Sequence, residues 1–135
     1  DIRSVNFFNN KAKNINKTAK LLVEKFGGMV PQTMEELVSL PGVARKTANI
    51  VLSSAFGLNE GIAVDTHVKR LAYRLGLTKH DDPVKIEQDL LAITPKKEWG
   101  HVSHLLIFHG RKVCQAIKAD HAKCVLFDLC LSKNI

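Results

Sequence analysis

The stretch LPGVARKTANIVL, residues 40–52, decides how the rest of the chain is read. A Leu-Pro-Gly-Val-Ala turn leads into a helix that opens with Arg45 and Lys46. The N-terminus of a helix carries partial positive charge, so each cation there is unfavourable by ~0.3–1 kcal/mol. Anions belong at that end, held by backbone N–H groups that lack an intrahelical partner. Two cations placed there make sense if the anion comes from another molecule and one of the amines is meant to react.

Composition agrees with an anionic partner. The chain has 135 residues and a net charge of +7, with 20 basic residues against 13 acidic ones. That balance favours nucleic acid over anionic membrane, although charge alone argues only for non-specific attraction. No apolar run approaches the ~20 residues needed to span a bilayer. No secretory signal opens the chain, and residue 1 is Asp rather than Met. The three cysteines, Cys114, Cys124 and Cys130, all lie near the C-terminus. An odd, clustered set suits a metal site in a reducing compartment better than a disulfide framework.

Outward from residues 40–52, helical spacing recurs and strand alternation does not. Ala12, Ile15, Ala19, Leu22, Val23 and Phe26 form an apolar stripe that stops at Gly27-Gly28. Thr33 and Glu36 read as a capping box opening a short helix to about Leu40. After the turn, Ala44, Ala48, Val51, Leu52 and Ala55 mark a buried face, with Lys46 off it. Asp65 caps a helix carrying Val68, Leu71, Ala72 and Leu75. Asp82-Pro83 starts another with Ile86, Leu90 and Ile93 inward. A last helix from about Glu98 to His109 turns Val102, Leu105 and Leu106 inward. The expected class is all-α, with a helical core over 1–110, a helix–hairpin–helix at about 34–56, and a cysteine-rich loop over 111–135.

Gly42 permits positive φ in the tight turn. The N–H groups around Val43, Ala44 and Arg45 then face a place where a phosphate would sit. From spacing alone, a plain helix–turn–helix corner is the readier reading.

LPGVARKTANIVL followed by GIAVDTHVKRLAYRLGL resembles the helix-hairpin-helix DNA glycosylases, specifically the endonuclease III branch. The resemblance extends back to NFFNNKAKNI and forward through LLIFHGRKVC to the cysteines. It implies Lys46 as nucleophile and Asp65 as its catalytic partner. It also implies DNA contacts from Leu40, Gly42, Val43, Ala44 and Arg45 in the hairpin, with Ala44 standing where the family has a second glycine. Phe7 matches an apolar residue that wedges into the base stack when the damaged nucleotide is flipped out. The expected partner is double-stranded DNA with damaged bases or abasic sites. The expected activity is base excision of oxidised pyrimidines followed by apurinic/apyrimidinic lyase cleavage. No membrane partner is expected, and an intracellular location, in cytoplasm and nucleoid or in a nucleus, goes with it.

Elementary chemistry supports those roles. A lysine near a helix N-terminus has its charged form destabilised, which leaves more neutral amine for attack. An amine can attack the sugar C1′ and leave an imine, which acidifies the C2′ proton. Asp65 would stabilise positive charge on the sugar and assist proton transfer. The helix from Arg45 to Phe56 is ~18 Å long, and the segment from Gly57 to Val64 reaches up to ~26 Å. The chain can therefore return along the helix and bring Asp65 beside Lys46. The alternatives are an N-cap for Asp65, a solvated surface lysine for Lys46, and a non-catalytic DNA-binding module or inactive fragment for the whole.

The family spaces four cysteines Cys-x6-Cys-x2-Cys-x5-Cys around a [4Fe-4S] cluster. Cys114, Cys124 and Cys130 match the first, third and fourth, and His121 occupies the second place. Histidine can ligate iron, the same set suits tetrahedral zinc, and an empty site is the third outcome. Arg111, Lys112 and Lys118 lie in or near this loop, within reach of DNA phosphates. The resemblance also implies that helices at the N-terminal side of the family's core have no counterpart here. Their absence should expose an apolar face, open to self-association.

Overall fold

The computed structural model describes residues 2–133. Among them are six α-helices: α1 Phe8–Phe26, α2 Met34–Val38, α3 Arg45–Phe56, α4 Thr66–Arg74, α5 Pro83–Ile93 and α6 Trp99–Lys112. Short 3-10 turns follow at 96–98, 121–123 and 127–129. None of the described helices is long and apolar enough to cross a membrane.

The helix boundaries follow local chemistry. Asp65 accepts from the N–H groups of His67 and Val68, both at 2.8 Å, and so starts α4. Asp82 does the same for α5 through Val84 and Lys85, with Pro83 at the first helical position. Thr33 caps α2 by accepting from Glu36 N–H. The reciprocal half of the expected box differs, because the Thr33 hydroxyl donates to Glu36 Oε2 at 2.7 Å.

The core consists of two apolar clusters. Leu37, Leu40, Ala48 and Leu52 pack between α2 and α3, with Leu21, Leu22 and Phe26 of α1 against them. Ile62, Val68, Leu71, Ala72, Ile86, Leu90 and Leu106 form the second, where α4 packs on α5 and α6. Several residues expected inward are exposed instead. Ile93 and Leu105 lie 58% and 57% open to solvent, and Ala44 and Ala55 are also exposed. In α3 the inward positions are Ala48, Asn49 and Leu52, so the helix is rotated toward Asn49 relative to the expected stripe. The reason is a buried hydrogen bond from Asn49 Nδ2 to Glu87 Oε1 at 3.0 Å, which a count of apolar positions cannot register.

The α1 stripe is real but mostly uncovered. Ile15 is 57% and Val23 69% exposed, and no residue of α1 is fully buried. An apolar groove of about 460 Å³ runs between α1 and the turn, walled by Ile2, Val5, Ile15, Leu22, Pro41 and Val43. Ile15 and Val23 therefore leave an exposed apolar face along α1. Thr18 donates to Pro41 C=O at 2.9 Å and ties α1 to the hairpin.

Candidate active site and metal-binding loop

The hairpin turn closes through a bond from Val43 N–H to Leu40 C=O at 3.1 Å. Gly42 sits at φ 80°, and a Cβ there would lie 2.7 Å from Asn14 Nδ2, so both conformation and space require glycine. The first backbone bond of α3 runs from Ala48 N–H to Ala44 C=O. The N–H groups of Arg45, Lys46 and Thr47 precede it and stand at the positive end of the helix.

Three of the residues expected at the DNA also serve the fold. Leu40 is 5% exposed and belongs to the core, because an apolar side chain beside the turn gains more from Leu37 and Leu52 than from solvent. Val43 spends its N–H on the turn itself. Arg45, expected on a phosphate, is held within the chain. Its Nε lies 2.6 Å and its Nη2 3.2 Å from the two carboxylate oxygens of Glu87. A carboxylate that is only 4% exposed needs such a partner. The bond from Glu87 raises the Arg45 pKa above its ordinary value, against the opposing effect of burial.

Lys46 and Asp65 come together. Both line an open cleft of about 400 Å³ with Val64, Thr66, Lys69 and Pro83. Lys46 is exposed at the first turn of α3, and Asp65 is half-buried at the start of α4. Both capping bonds of Asp65 end on Oδ1, which leaves Oδ2 out of the cap. Lys69, one helical turn along from Asp65, is paired at 2.7 Å with Asp81, an exposed aspartate. Spacing of four along α4 could have drawn attention to Lys69, and a carboxylate set between Ile86 and Leu90 could have done so for Glu87.

Phe7 precedes α1 with φ 59°, the one described non-glycine residue in the left-handed region, and the residue is 81% exposed. Core packing beside Phe8 is thereby excluded for it.

The cysteine loop is hung from α4 by two arginines. Arg70 donates to the carbonyls of Gly110 and Cys114 at 2.9 and 3.0 Å. Arg74 donates to the carbonyls of Gln115 and Ala116 and to Cys114 Sγ at 3.2 Å. Cys114, His121, Cys124 and Cys130 all line one small cavity of about 20 Å³. No three His, Cys, Asp or Glu side chains among the described residues are close enough together to hold an ion. The donor set converges without closing. His109 Nε2 lies 3.6 Å from Cys124 Sγ, and burial lowers the His109 pKa from its ordinary value. Arg111, Lys112 and Lys118 are all exposed beside this loop.

A turn that opens a helix with free amides, and a lysine and an aspartate across one cleft, are the parts of a DNA-glycosylase fold. Residues 1–96 match the family described as HhH-GPD superfamily base excision DNA repair protein, and the chain belongs to that family. Among its relatives, endonuclease III of Synechocystis sp. is 56% identical over 131 residues, covering 97% of this chain and 60% of the relative. Endonuclease III of Bacillus subtilis is 49% identical, covering 96% and 59%. A non-covalent endonuclease III–DNA complex superposes with a TM-score of 0.91 at 46% identity, over 98% of this chain and 62% of that one. A trapped endonuclease III–DNA covalent intermediate matches equally well. A thermostable thymine-DNA glycosylase, 22% identical with a TM-score of 0.83, shares the fold. The chain thus spans about three-fifths of the length of the curated relatives it matches.

Proposed function

We propose that this chain carries the catalytic and DNA-holding part of a base-excision repair glycosylase with apurinic/apyrimidinic lyase activity, acting on oxidised pyrimidines in duplex DNA. The observation that carries the reading is the shared cleft of Lys46 and Asp65. Its size and openness suit a nucleotide rotated out of the stack. The likeness to endonuclease III–DNA complexes supports the partner.

In this mechanism the free amides at the start of α3 hold a backbone phosphate. Neutral Lys46 Nζ bonds to C1′, and the glycosidic bond breaks with its electron pair leaving on the base. Loss of a proton from nitrogen and opening of the sugar ring give the imine. A base then removes the C2′ proton, the C3′–O bond breaks, and the 3′ phosphate departs. Water releases Lys46. Asp65, through Oδ2, stabilises the cationic sugar and assists the proton transfers. Phe7, exposed and held in a strained backbone, fills the gap left in the stack. Arg111, Lys112 and Lys118 reach flanking phosphates.

Cys114, His121, Cys124 and Cys130 supply the donors for a structural [4Fe-4S] cluster, which would pin the loop rather than react. Three thiols and an imidazole fit iron or zinc chemically. The cavity among them has room for about one water-sized sphere, so a cluster requires the loop to move outward, and a single zinc requires the four donors to draw closer together. Counting iron, sulfide and zinc in purified protein decides between them. The uncovered α1 face is where a further helix or a second copy would pack.

Borohydride trapping on a duplex with one abasic site tests the chemistry. The expected result is a covalent adduct from the wild-type chain and none from Lys46→Gln, with DNA affinity retained. A folded wild-type chain that forms no adduct overturns the lyase reading and leaves a DNA-binding module.

A further inference from the structure

Lys46 and Asp65 sit on separate elements, and one buried side chain touches both arms that carry them. Glu87, on α5, is 4% exposed. Its Oε2 accepts from Arg45 Nε at 2.6 Å, and its Oε1 accepts from Asn49 Nδ2 at 3.0 Å and from Arg45 Nη2 at 3.2 Å. Arg45 precedes Lys46, and Asn49 lies one turn beyond it, so these bonds fix the rotation of the first turn of α3. The same Oε1 accepts from the backbone N–H of Ile62 at 3.2 Å. Ile62 belongs to the returning segment that ends in Asp65. The approach is close because residue 61 is glycine: a Cβ there would overlap Glu87 Oε1 and crowd the Asn49 amide. Ser103 Oγ, donating to Ala63 C=O at 3.1 Å, holds the next residue of that segment from the α6 side.

We propose that Glu87 is a positioning residue, the common anchor that sets the separation and facing of Lys46 and Asp65. The proposal rests on the lysine–aspartate reading above. A buried carboxylate that served only to satisfy one cation would need a single partner. This one accepts four bonds from three residues on two chain segments, and each segment leads directly into one of the two reacting groups. Glu87 itself is not part of the cleft wall, so it acts through Arg45, Asn49 and Ile62 and touches no substrate.

The test compares the full chain with Glu87→Met, which removes all four bonds, and Glu87→Gln, which keeps an oxygen acceptor and the shape. Three quantities are measured well below each variant's Tm: the single-turnover rate of borohydride-trapped adduct, the affinity for the abasic duplex, and amide hydrogen exchange at His67 and Val68. Misplacement of reacting groups by a fraction of an ångström should slow the adduct about tenfold or more in Glu87→Met. Affinity should stay within about threefold, because the turn's own closing bond from Val43 N–H to Leu40 C=O does not involve Glu87 and binding tolerates small shifts that the reaction does not. Exchange at His67 and Val68, the amides that Asp65 caps, should accelerate by about tenfold as the segment loosens. An adduct rate equal to wild type, or a slowing matched by equal loss of affinity, overturns the proposal. If Glu87→Met does not fold, Glu87→Gln decides, with about threefold slowing expected and no change overturning it. If the wild-type chain forms no adduct, the catalytic reading fails by itself. The exchange data then judge the anchor, and unchanged protection at His67 and Val68 in the variant refutes it.

Discussion

Arg74 donates a hydrogen bond to Cys114 Sγ across 3.2 Å while its other N–H groups hold the carbonyls of Gln115 and Ala116. One side chain on α4 therefore shapes the first turn of the cysteine loop. Charge-assisted bonds of this kind contribute about 1.5–3 kcal/mol where solvent is partly excluded. Arg74→Leu is expected to lower stability by about that amount and to open residues 113–120 to limited proteolysis. Cleavage no faster than in wild type would refute the clamp.

The double duty of Asp65 separates cleanly by substitution. Asparagine caps a helix about as well as aspartate, while alanine costs about 1 kcal/mol. Asp65→Asn is expected to keep the wild-type Tm and to slow adduct formation by a factor of about 10²–10⁴. Asp65→Ala should lose both. Equal adduct rates in wild type and Asp65→Asn, measured under single-turnover conditions, would reduce Asp65 to a cap.

Gly42 is constrained twice over, by φ 80° and by Asn14. Gly42→Ala is expected to destabilise the fold by about 1–3 kcal/mol. Adding Asn14→Ala should recover the steric part and leave about 1 kcal/mol for the backbone. Urea unfolding of the two variants reads the split, and full recovery in the double variant would contradict the backbone contribution.

Phosphate binding at the hairpin and the basic loop predicts a salt-dependent affinity. The slope of log K against log salt should fall by about 0.9 for each phosphate neutralised. Lys118→Ala and Lys112→Ala should each flatten it by about that much, whereas Arg45→Ala should leave the slope nearly unchanged, since Arg45 is already engaged by Glu87. Fluorescence anisotropy over a salt series measures this.

What was legible from residues alone were the helices and their caps, because these depend on neighbours a few positions apart. Asp65, Asp82 and Gly42 announce themselves locally, and the LPGVARK turn fixes where α3 begins. The contacts between distant elements were not legible. Nothing near Arg45 in the chain points to its ion pair with the buried Glu87 carboxylate. The packing of the Leu40 side chain with Leu37 and Leu52 was likewise not visible in the sequence. Periodicity identified the apolar side of α1 correctly, and it cannot say whether anything covers that side. Ile93 and Leu105 were misplaced for the same reason.

Phe7 holds a left-handed backbone with its ring almost wholly in solvent. A bulky side chain in that conformation costs about 1–2 kcal/mol, and no packing of an exposed ring repays it. Asparagine tolerates the same φ and also caps helices well, so Phe7→Asn should make the chain harder to unfold while removing the ring proposed to enter the base stack. At this position resistance to unfolding and usefulness on DNA are opposed, and a screen for thermal hardiness alone would discard the phenylalanine.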